Sequence, residues 1–224
     1  PCLLAVLIKD TFSDTEIDTR VKQFKMLEFE RVGGKYKVEL LVFKIEQDNK
    51  ERVKNILAQI GQDTMVAVIS KNVEVLEEVV NLRNIDIIGV VDDDNKIEKL
   101  VNIAKDKKIP LVAYGNDLDE LAQRCKNIID KTGYRELILN FPVKSYTQVL
   151  EYLTQIRRLA LKKNFRLLGY PVMIVIEDDD EVINLSFASM SILKYGSIVC
   201  LNTVKPEIYL ALITLRLNIY TDPQ

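Results

Sequence analysis

Two acidic runs hold the residues of this sequence most able to do chemistry: Asp92–Asp94 and Glu177–Glu181. Carboxylate oxygens are the ligands that Mg²⁺ and Ca²⁺ prefer, and a carboxylate can also act as a general base. The alternative is a solvated loop whose acids stabilise the N-terminus of the following helix. Neither run shows a ligand-spacing motif or an opposing acidic partner. The pattern therefore favours the loop, and we predict no metal site and no catalytic residue.

The composition excludes several kinds of catalytic and metal-binding site. The 224 residues include no His, which excludes Ser-His-Asp and Cys-His catalysis and His-ligated zinc or haem. The three cysteines, Cys2, Cys125 and Cys200, are too few for the four thiolates of an iron–sulfur cluster. They are also too scattered for a disulfide framework, so we expect them to be core residues in a reducing compartment.

Charge and hydropathy indicate a cytoplasmic protein with an ordinary core. Lys plus Arg is 31 and Asp plus Glu is 33, and this net charge of -2 argues against a general nucleic-acid binder. Hydrophobic residues make up 48% of the chain, but no apolar run approaches the roughly 18 residues of a membrane span. The opening run Leu3–Ile8 is too short for a signal peptide and lacks a basic leader. We therefore predict neither a nucleic-acid partner nor a membrane partner.

Basic and aromatic residues in the last third offer a second candidate surface. The basic residues are Arg157, Arg158, Lys162, Lys163 and Arg166, and the tyrosines are Tyr195, Tyr209 and Tyr220. A solvated helix face and packed tyrosines are the plainer interpretation. The alternative is a docking patch for an acidic partner or a phosphate, because Tyr is enriched at interfaces. On that alternative the interface residues are Arg157, Arg158, Tyr195, Asn218 and Tyr220.

Short apolar runs alternate with helical patterns along nearly the whole chain. The predicted strands are Leu3–Ile8, Val38–Ile45, Met65–Ser70, Asp86–Val91, Leu111–Tyr114, Leu137–Phe141, Val172–Ile176 and Ile198–Leu201. Eight buried strands, each followed by an amphipathic helix, predict a (β/α)8 TIM barrel. No GxGxxG and no Walker A loop is present, and no linker divides residues 1–224, so we predict a single barrel domain.

Local signals place several element ends. Ser13 with Glu16, and Asp117 with Glu120, match a capping box at a helix start. Gly61, Gly133 and Gly196 each follow a periodic stretch and predict a helix end. The last helix is predicted to span roughly 207–219. Phe29–Val32 and Tyr36–Val38 flank Gly33-Gly34, which predicts a hairpin leading into the second strand.

A TIM barrel places its chemistry where strands end and the following loops begin. These positions are Lys9 and Asp10, Glu46–Asp48, Lys71 and Asn72, Asp92–Asn95, Tyr114–Asn116, Asn140–Pro142, Glu177–Glu181, and Asn202 and Thr203. Asn140 and Asn202 are the candidates for binding a cofactor or substrate, because an amide both donates and accepts hydrogen bonds.

Specific strings resemble a known family. They are residues 153–161 (LTQIRRLAL), 168–171 (LGYP), 188–189 (AS), 194–196 (KYG), 215–224 (LRLNIYTDPQ) and, earlier, 27–33 (LEFERVG). Together they resemble the large (gamma) subunit of the corrinoid iron–sulfur protein of the acetyl-CoA synthase/carbon monoxide dehydrogenase system. The resemblance covers essentially the whole chain and is strongest in roughly the last 75 residues.

The resemblance implies a methyl carrier of the reductive acetyl-CoA (Wood–Ljungdahl) pathway. Such a subunit has a module with a four-iron–four-sulfur cluster, a central TIM barrel and a cobalamin module. It takes a methyl group from a methyl-tetrahydrofolate (or pterin) methyltransferase, delivers it to acetyl-CoA synthase, and pairs with a small TIM-barrel subunit. This sequence matches the central barrel only. We therefore expect 1–224 to be the middle domain of a longer chain, without cobalamin or cluster in the barrel itself.

Two departures from the family pattern bear on the barrel mouth. Leu217 stands where the family's terminal string would have Gln, and Asn140–Pro142 stands where an Asp-Pro-Gly-like turn is usual. Both favour a scaffold over a ligand-binding barrel. The leading hypothesis is accordingly a non-catalytic barrel that docks the small subunit. The alternatives are a pterin- or folate-binding methyltransferase barrel acting on a separate corrinoid protein, and an interaction module outside one-carbon chemistry.

Overall fold

The fold is described from a computed structural model for residues 2–31, 33–47, 49–162 and 165–220. In chain order the strands are β1 (Leu3–Lys9), β2 (Glu28–Arg31), β3 (Gly34–Lys37), β4 (Leu40–Lys44), β5 (Met65–Ile69), β6 (Ile87–Val91), β7 (Leu111–Tyr114), β8 (Leu137–Asn140), β9 (Val172–Ile176) and β10 (Ile198–Leu201). β1 and β4–β10 form a closed parallel barrel, in which β1 pairs with both β4 and β10. The predicted TIM barrel is confirmed.

In the described residues, eight α-helices surround the barrel, one after each barrel strand. They are α1 (Asp14–Phe24), α2 (Lys50–Gln59), α3 (Val73–Leu82), α4 (Ile97–Lys107), α5 (Leu118–Thr132), α6 (Tyr146–Lys162), α7 (Glu181–Leu193) and α8 (Pro206–Tyr220). Each helix returns the chain to the amino end of the next strand. Helix N-termini therefore lie at the mouth, where the strands end, and helix C-termini lie at the opposite end.

Most predicted element ends are confirmed. Ser13 and Asp117 are N-caps whose side chains accept hydrogen bonds from the backbone N–H of Glu16 and Glu120. Gly133 ends α5 with φ +70°, a left-handed conformation that glycine adopts without steric cost.

The ends of α2 and α7 differ from the prediction. α2 ends at Gln59, with Ile60 rather than Gly61 as its cap. Beyond α7 the left-handed residue is Tyr195, at φ +64°, and not the glycine that follows it. The sequence pattern favours the glycine because a bulky side chain seldom adopts this conformation.

The predicted hairpin is confirmed as the antiparallel pair β2–β3, with Phe29 opposite Tyr36. Val32, part of the predicted hairpin, lies outside the described residues. Phe29 and Tyr36 pack against the core, and Arg31 Nε donates to Thr214 Oγ1 at 3.3 Å. The hairpin follows α1, so it lies at the end of the barrel opposite the mouth, and it contacts α8.

The core has two parts, as barrel closure requires. Inward-facing side chains fill the lumen, and they include Leu7, Val42, Ile69, Val112 and Met173. A larger apolar layer separates the outer side of the sheet from the helices. In the part of the chain that the structure describes, no helix has the length and apolar character needed to cross a membrane.

Candidate functional site

A cavity of about 770 Å³ opens at the mouth of the barrel. Its wall includes residues from most of the loop positions predicted from sequence, namely Glu46, Lys71, Asn72, Tyr114, Asn140, Phe141, Pro142, Glu177 and Asp178. Gly115, next to Tyr114 of this wall, packs closely on α5, since a Cβ at this position would lie 2.4 Å from the backbone nitrogen of Leu121.

A four-residue ion cluster occupies one side of the mouth. The Glu177 carboxylate lies 2.5 Å from Lys9 Nζ and 2.7 Å from Lys44 Nζ. Lys44 also lies 2.7 Å from Glu46 Oε1. These side chains come from the ends of β1, β4 and β9, so closure of the barrel brings together residues that are far apart in sequence.

Within the cluster, Glu177 and Lys44 are held in the ionised state. Burial raises the pKa of Glu177, but hydrogen bonds from Lys44 and Lys9 outweigh burial, and the net effect lowers that pKa. Burial lowers the pKa of Lys44, but its hydrogen bonds to Glu177 and Glu46 raise it overall. A carboxylate held ionised by two lysines is a poor proton donor and a weak base.

Asp10 is fully buried beside this cluster and has a positioning role. Its two carboxylate oxygens accept hydrogen bonds from the backbone N–H of Glu46 at 2.9 Å and of Gln47 at 2.8 Å. Arg52 Nε donates to the backbone carbonyl of Asp10 at 2.5 Å. Asp10 therefore fixes the loop after β4, of which Asp48, another predicted mouth residue, lies outside the described residues.

Two carboxylates of the first acidic run, Asp92 and Asp94, form ion pairs that hold their own loop in place. Asp92 pairs with Lys96 at 2.9 Å and with Lys71 at 3.7 Å. Asp94 pairs with Arg124 of α5. These ion pairs connect the loop to Lys71 after β5 and to Arg124 of α5.

In the second acidic run, Asp180 and Glu181 also interact with neighbouring groups of this chain. Asp180 caps α7 by accepting from the backbone N–H of Val182 and Ile183. Glu181 pairs with Lys205 at 2.5 Å. Among the residues described, no three His, Cys, Asp or Glu side chains are grouped so as to hold a metal ion.

The two candidate ligand-binding amides lie in different places. Asn140 lines the mouth cavity, but its Nδ2 already donates to the backbone carbonyl of Met173 at 3.0 Å. Asn202 lines a separate cavity of about 350 Å³, and its Nδ2 donates to Asp179 Oδ1 at 2.9 Å. The structure therefore does not bring Asn140 and Asn202 together in one cavity.

Two features of the mouth were missed at the sequence level. Lys44 falls inside the predicted strand Val38–Ile45, so its place at the strand end was not recognised. Phe187 of α7 lines the cavity and stacks on Tyr146 of α6, with ring centroids 3.9 Å apart and planes at 11°. Phe187 carried no sequence signal, because a single aromatic in an apolar helix is typical of core.

The second candidate surface lies at the other end of the barrel, where α6, α7 and α8 end. The guanidinium carbon of Arg157 lies 3.4 Å from the centroid of the Tyr195 ring. Tyr195 and Tyr220 meet edge to face at 6.0 Å. The structure thus brings together three of the five predicted interface residues. Arg158 and Asn218 are exposed nearby on α6 and α8.

Other residues singled out in the sequence have different surroundings. Tyr209 is fully buried, and its hydroxyl lies within hydrogen-bond distance of the carbonyls of Ala5 and Thr203. Arg216, in the terminal string, pairs with Glu39 at 2.6 Å and donates to the Cys2 carbonyl at 2.8 Å. Arg216 therefore ties α8 to the first two barrel strands. Lys163 and the end of the string, 221–224, lie outside the described residues.

The three cysteines are buried separately and do not suit a cluster. Burial raises the pKa of Cys2 and of Cys125 to about 12, and raises that of Cys200 well above its ordinary value. Iron–sulfur clusters bind thiolates, and these side chains remain protonated thiols. The described residues therefore do not fit an iron–sulfur cluster.

Comparison with known proteins then decides the family. A sequence model of the family described as "CO dehydrogenase/acetyl-CoA synthase delta subunit" matches residues 1–224. The chain belongs to this family. It is 29% identical to the corrinoid/iron-sulfur protein large subunit of Moorella thermoacetica, over 99% of this chain and 50% of that protein. It is 25% identical to the acetyl-CoA decarbonylase/synthase complex subunit gamma of Methanocaldococcus jannaschii, over 100% of this chain and 51% of that protein.

These matches confirm the resemblance inferred from the sequence strings. The chain spans about half the length of the curated relatives it matches. Solved structures with a similar fold include 7,8-dihydropteroate synthase from Vibrio fischeri ES114, with a TM-score of 0.68 and 16% identity over 100% of this chain and 95% of that one. Dihydropteroate synthase from Anaplasma phagocytophilum with bound 6-hydroxymethylpterin-monophosphate has a TM-score of 0.67 and 12% identity, over 97% and 99% of the chains. At these identities the likeness concerns the fold.

Proposed function

We propose that this chain is the scaffold barrel of a corrinoid iron–sulfur methyl carrier. In this proposal the whole protein takes a methyl group from a methyl-tetrahydrofolate or pterin methyltransferase and delivers it to acetyl-CoA synthase. Cobalamin and a four-iron–four-sulfur cluster reside in modules outside the barrel, and the barrel docks a small TIM-barrel subunit. The cofactor supplies the chemistry of methyl transfer. The barrel therefore has to position the modules and partners and needs no reactive groups of its own.

The observation that carries this proposal is the internal pairing of charge at the mouth. In other TIM barrels this end supplies the catalytic groups. Here Glu177 is held ionised between Lys9 and Lys44, and Asp10 is used to fix a backbone loop. Asn140 donates to a strand carbonyl. Membership of the family supports a role in one-carbon metabolism. The pairing of charged side chains at the mouth supports a scaffold function within that role.

Docking of the small subunit is tested by co-expressing it with the protein that carries this chain. Size-exclusion chromatography with light scattering should show a stable 1:1 complex. Elution of the two proteins as separate peaks at micromolar concentration would overturn the docking role. An unrelated TIM-barrel protein of similar size is the control for non-specific association.

The second candidate function is a barrel that binds a pterin or folate and transfers its methyl group to a separate corrinoid protein. The 770 Å³ cavity, with Tyr114, Phe187 and Asn140 in its wall, favours this function, because small-molecule sites are concave and combine aromatic with polar groups. It ranks second because Glu177, Lys44 and Asp10 at the mouth already have partners within the chain. Titration with methyl-tetrahydrofolate separates the two functions.

A further inference from the structure

Apolar and basic side chains are exposed together where α6 and α7 end. Leu161 is 67% exposed, Leu193 is 52% exposed and Tyr195 is 45% exposed. Arg157 lies one helical turn before Leu161 and contacts the Tyr195 ring, which joins the two helix ends into one surface. We call this surface the basic face, formed by Arg157, Leu161, Leu193, Lys194 and Tyr195. Large side chains exposed side by side are typical of an interaction site.

The basic face carries charge of one sign. No Asp or Glu occurs in residues 152–176, 182–206 or 208–220. The acids between these segments, Glu177–Glu181 and Glu207, lie at the mouth, at the other end of the barrel. The cations at or beside the basic face are Arg157, Arg158, Lys162, Arg166 and Lys194. None of the five forms an ion pair with another described residue. In a chain of net charge -2, such segregation marks a surface suited to an acidic partner.

Tyr195 is held in position at the centre of this surface. Its φ of +64° is unusual for a bulky side chain, and the backbone N–H groups of Tyr195 and Gly196 bond to the carbonyls of Ile192 and Ser191. The ring is fixed between Arg157 and Tyr220, yet nearly half of the residue remains exposed. Tyr and Arg are the residue types that most often dominate binding energy at protein interfaces.

We infer that the basic face is where the small subunit docks, through a surface of that subunit with carboxylates around an apolar centre. This inference rests on the proposed function and names the part of the barrel that performs it. A second copy of this chain fits the face poorly, because a two-fold contact would place its cations against the same cations. A protein partner is favoured over a polyanion or a membrane because aromatic and leucine side chains lie among the cations.

The test is the affinity of the protein that carries this chain for the small subunit, measured by calorimetry for the unchanged protein and for three variants. Arg157→Glu with Arg158→Glu reverses the charge of the face and should weaken binding at least about tenfold. Tyr195→Gly should also weaken binding about tenfold or more, while relieving the left-handed backbone. Lys54→Glu reverses an exposed cation on α2 and is the matched control, expected to bind within about twofold of the unchanged protein.

The outcomes distinguish this inference from the proposed function. Tight binding that neither the double variant nor Tyr195→Gly weakens would overturn the inference and leave the docking role intact. Absence of binding by the unchanged protein would overturn both. Binding of the unchanged protein to phosphatidylserine vesicles, lost in the double variant while subunit affinity is unchanged, would assign the face to a membrane and overturn the inference. Circular dichroism of each variant shows that a loss of affinity is not a loss of fold.

Discussion

The mouth of this barrel and the basic face treat charge in opposite ways. At the mouth, Glu177 binds two lysines and Asp10 binds two backbone N–H groups. At the basic face, Arg157 contacts the ring of Tyr195, and none of the cations there forms an ion pair with another described residue. Charges that pair within the chain stabilise the fold, whereas unpaired charges around exposed apolar groups are available to a partner. A barrel can therefore pair its polar groups at the usual catalytic end and leave unpaired cations exposed elsewhere.

The contrast extends to two arginines in the last third of the chain. Arg216 is buried and bonded to Glu39 and to the Cys2 carbonyl, whereas Arg158 is exposed and forms no ion pair with another described residue. Arg216→Met should lower the free energy of unfolding by about 2–3 kcal/mol, because it leaves the Glu39 carboxylate without its cation. Arg158→Met is the matched control and should change it by less than about 0.5 kcal/mol. Urea unfolding measures both, and equal effects would contradict the contrast.

The ion cluster at the mouth should show a smaller effect. Glu177→Gln leaves Lys9 and Lys44 close together without the carboxylate, and we expect a loss of about 1 kcal/mol, since the cluster is only partly buried. Glu78→Gln removes an exposed partner of Lys50 and should leave the urea midpoint unchanged. A midpoint for Glu177→Gln equal to that of the unchanged protein would show that the cluster does not stabilise the mouth.

The same cluster predicts a pH dependence with a definite sign. The pKa of Glu177 is lower in the folded chain than its ordinary value near 4.5, so the folded state favours the ionised form. The stability that Glu177 contributes is therefore present above pH 4.5 and lost as the pH falls through the folded pKa. The stability difference between the unchanged protein and Glu177→Gln should be constant near neutrality and shrink below about pH 4.5. A difference that grows on acidification would contradict this sign.

The smallest effect is expected at Tyr195. Tyr195→Gly loses the contacts with Arg157 and Tyr220 but relieves the left-handed backbone, so the two changes oppose each other and the net effect should be under about 0.5 kcal/mol. Tyr195→Ala loses the same contacts and keeps a Cβ at φ +64°, so it should be about 1 kcal/mol less stable than Tyr195→Gly. Equal thermal midpoints for the two variants would show that the backbone at 195 is not strained.

Local patterns were sufficient to predict the barrel. Runs such as Leu111–Tyr114 and Val172–Ile176 are buried strands bounded as predicted, because a parallel strand covered on both sides is apolar throughout. Ser13 and Asp117 marked helix starts, because a side-chain cap depends on neighbours only three residues away. The general location of the mouth followed from the barrel itself.

The site was harder to predict because its contacts depend on barrel closure. Lys44 and Glu177 are 133 residues apart, and no local pattern indicates that they meet. The left-handed conformation of Tyr195 was not predicted, because Gly196, one residue later, matches the pattern of a glycine that ends a helix. Asn140 and Asn202 were placed in one mouth by their strand-end positions, but the loops direct them to separate cavities.

Calorimetric titration with methyl-tetrahydrofolate tests the central claim most directly, namely that this barrel is a scaffold whose charged mouth residues Glu177, Lys44 and Asp10 pair within the chain. The protein that carries this chain should give no saturable heat at ligand concentrations that would fill a micromolar site, with or without Asn140→Ala. Saturable micromolar binding that Asn140→Ala abolishes, in a variant that remains folded, would contradict the claim and assign the mouth to a ligand.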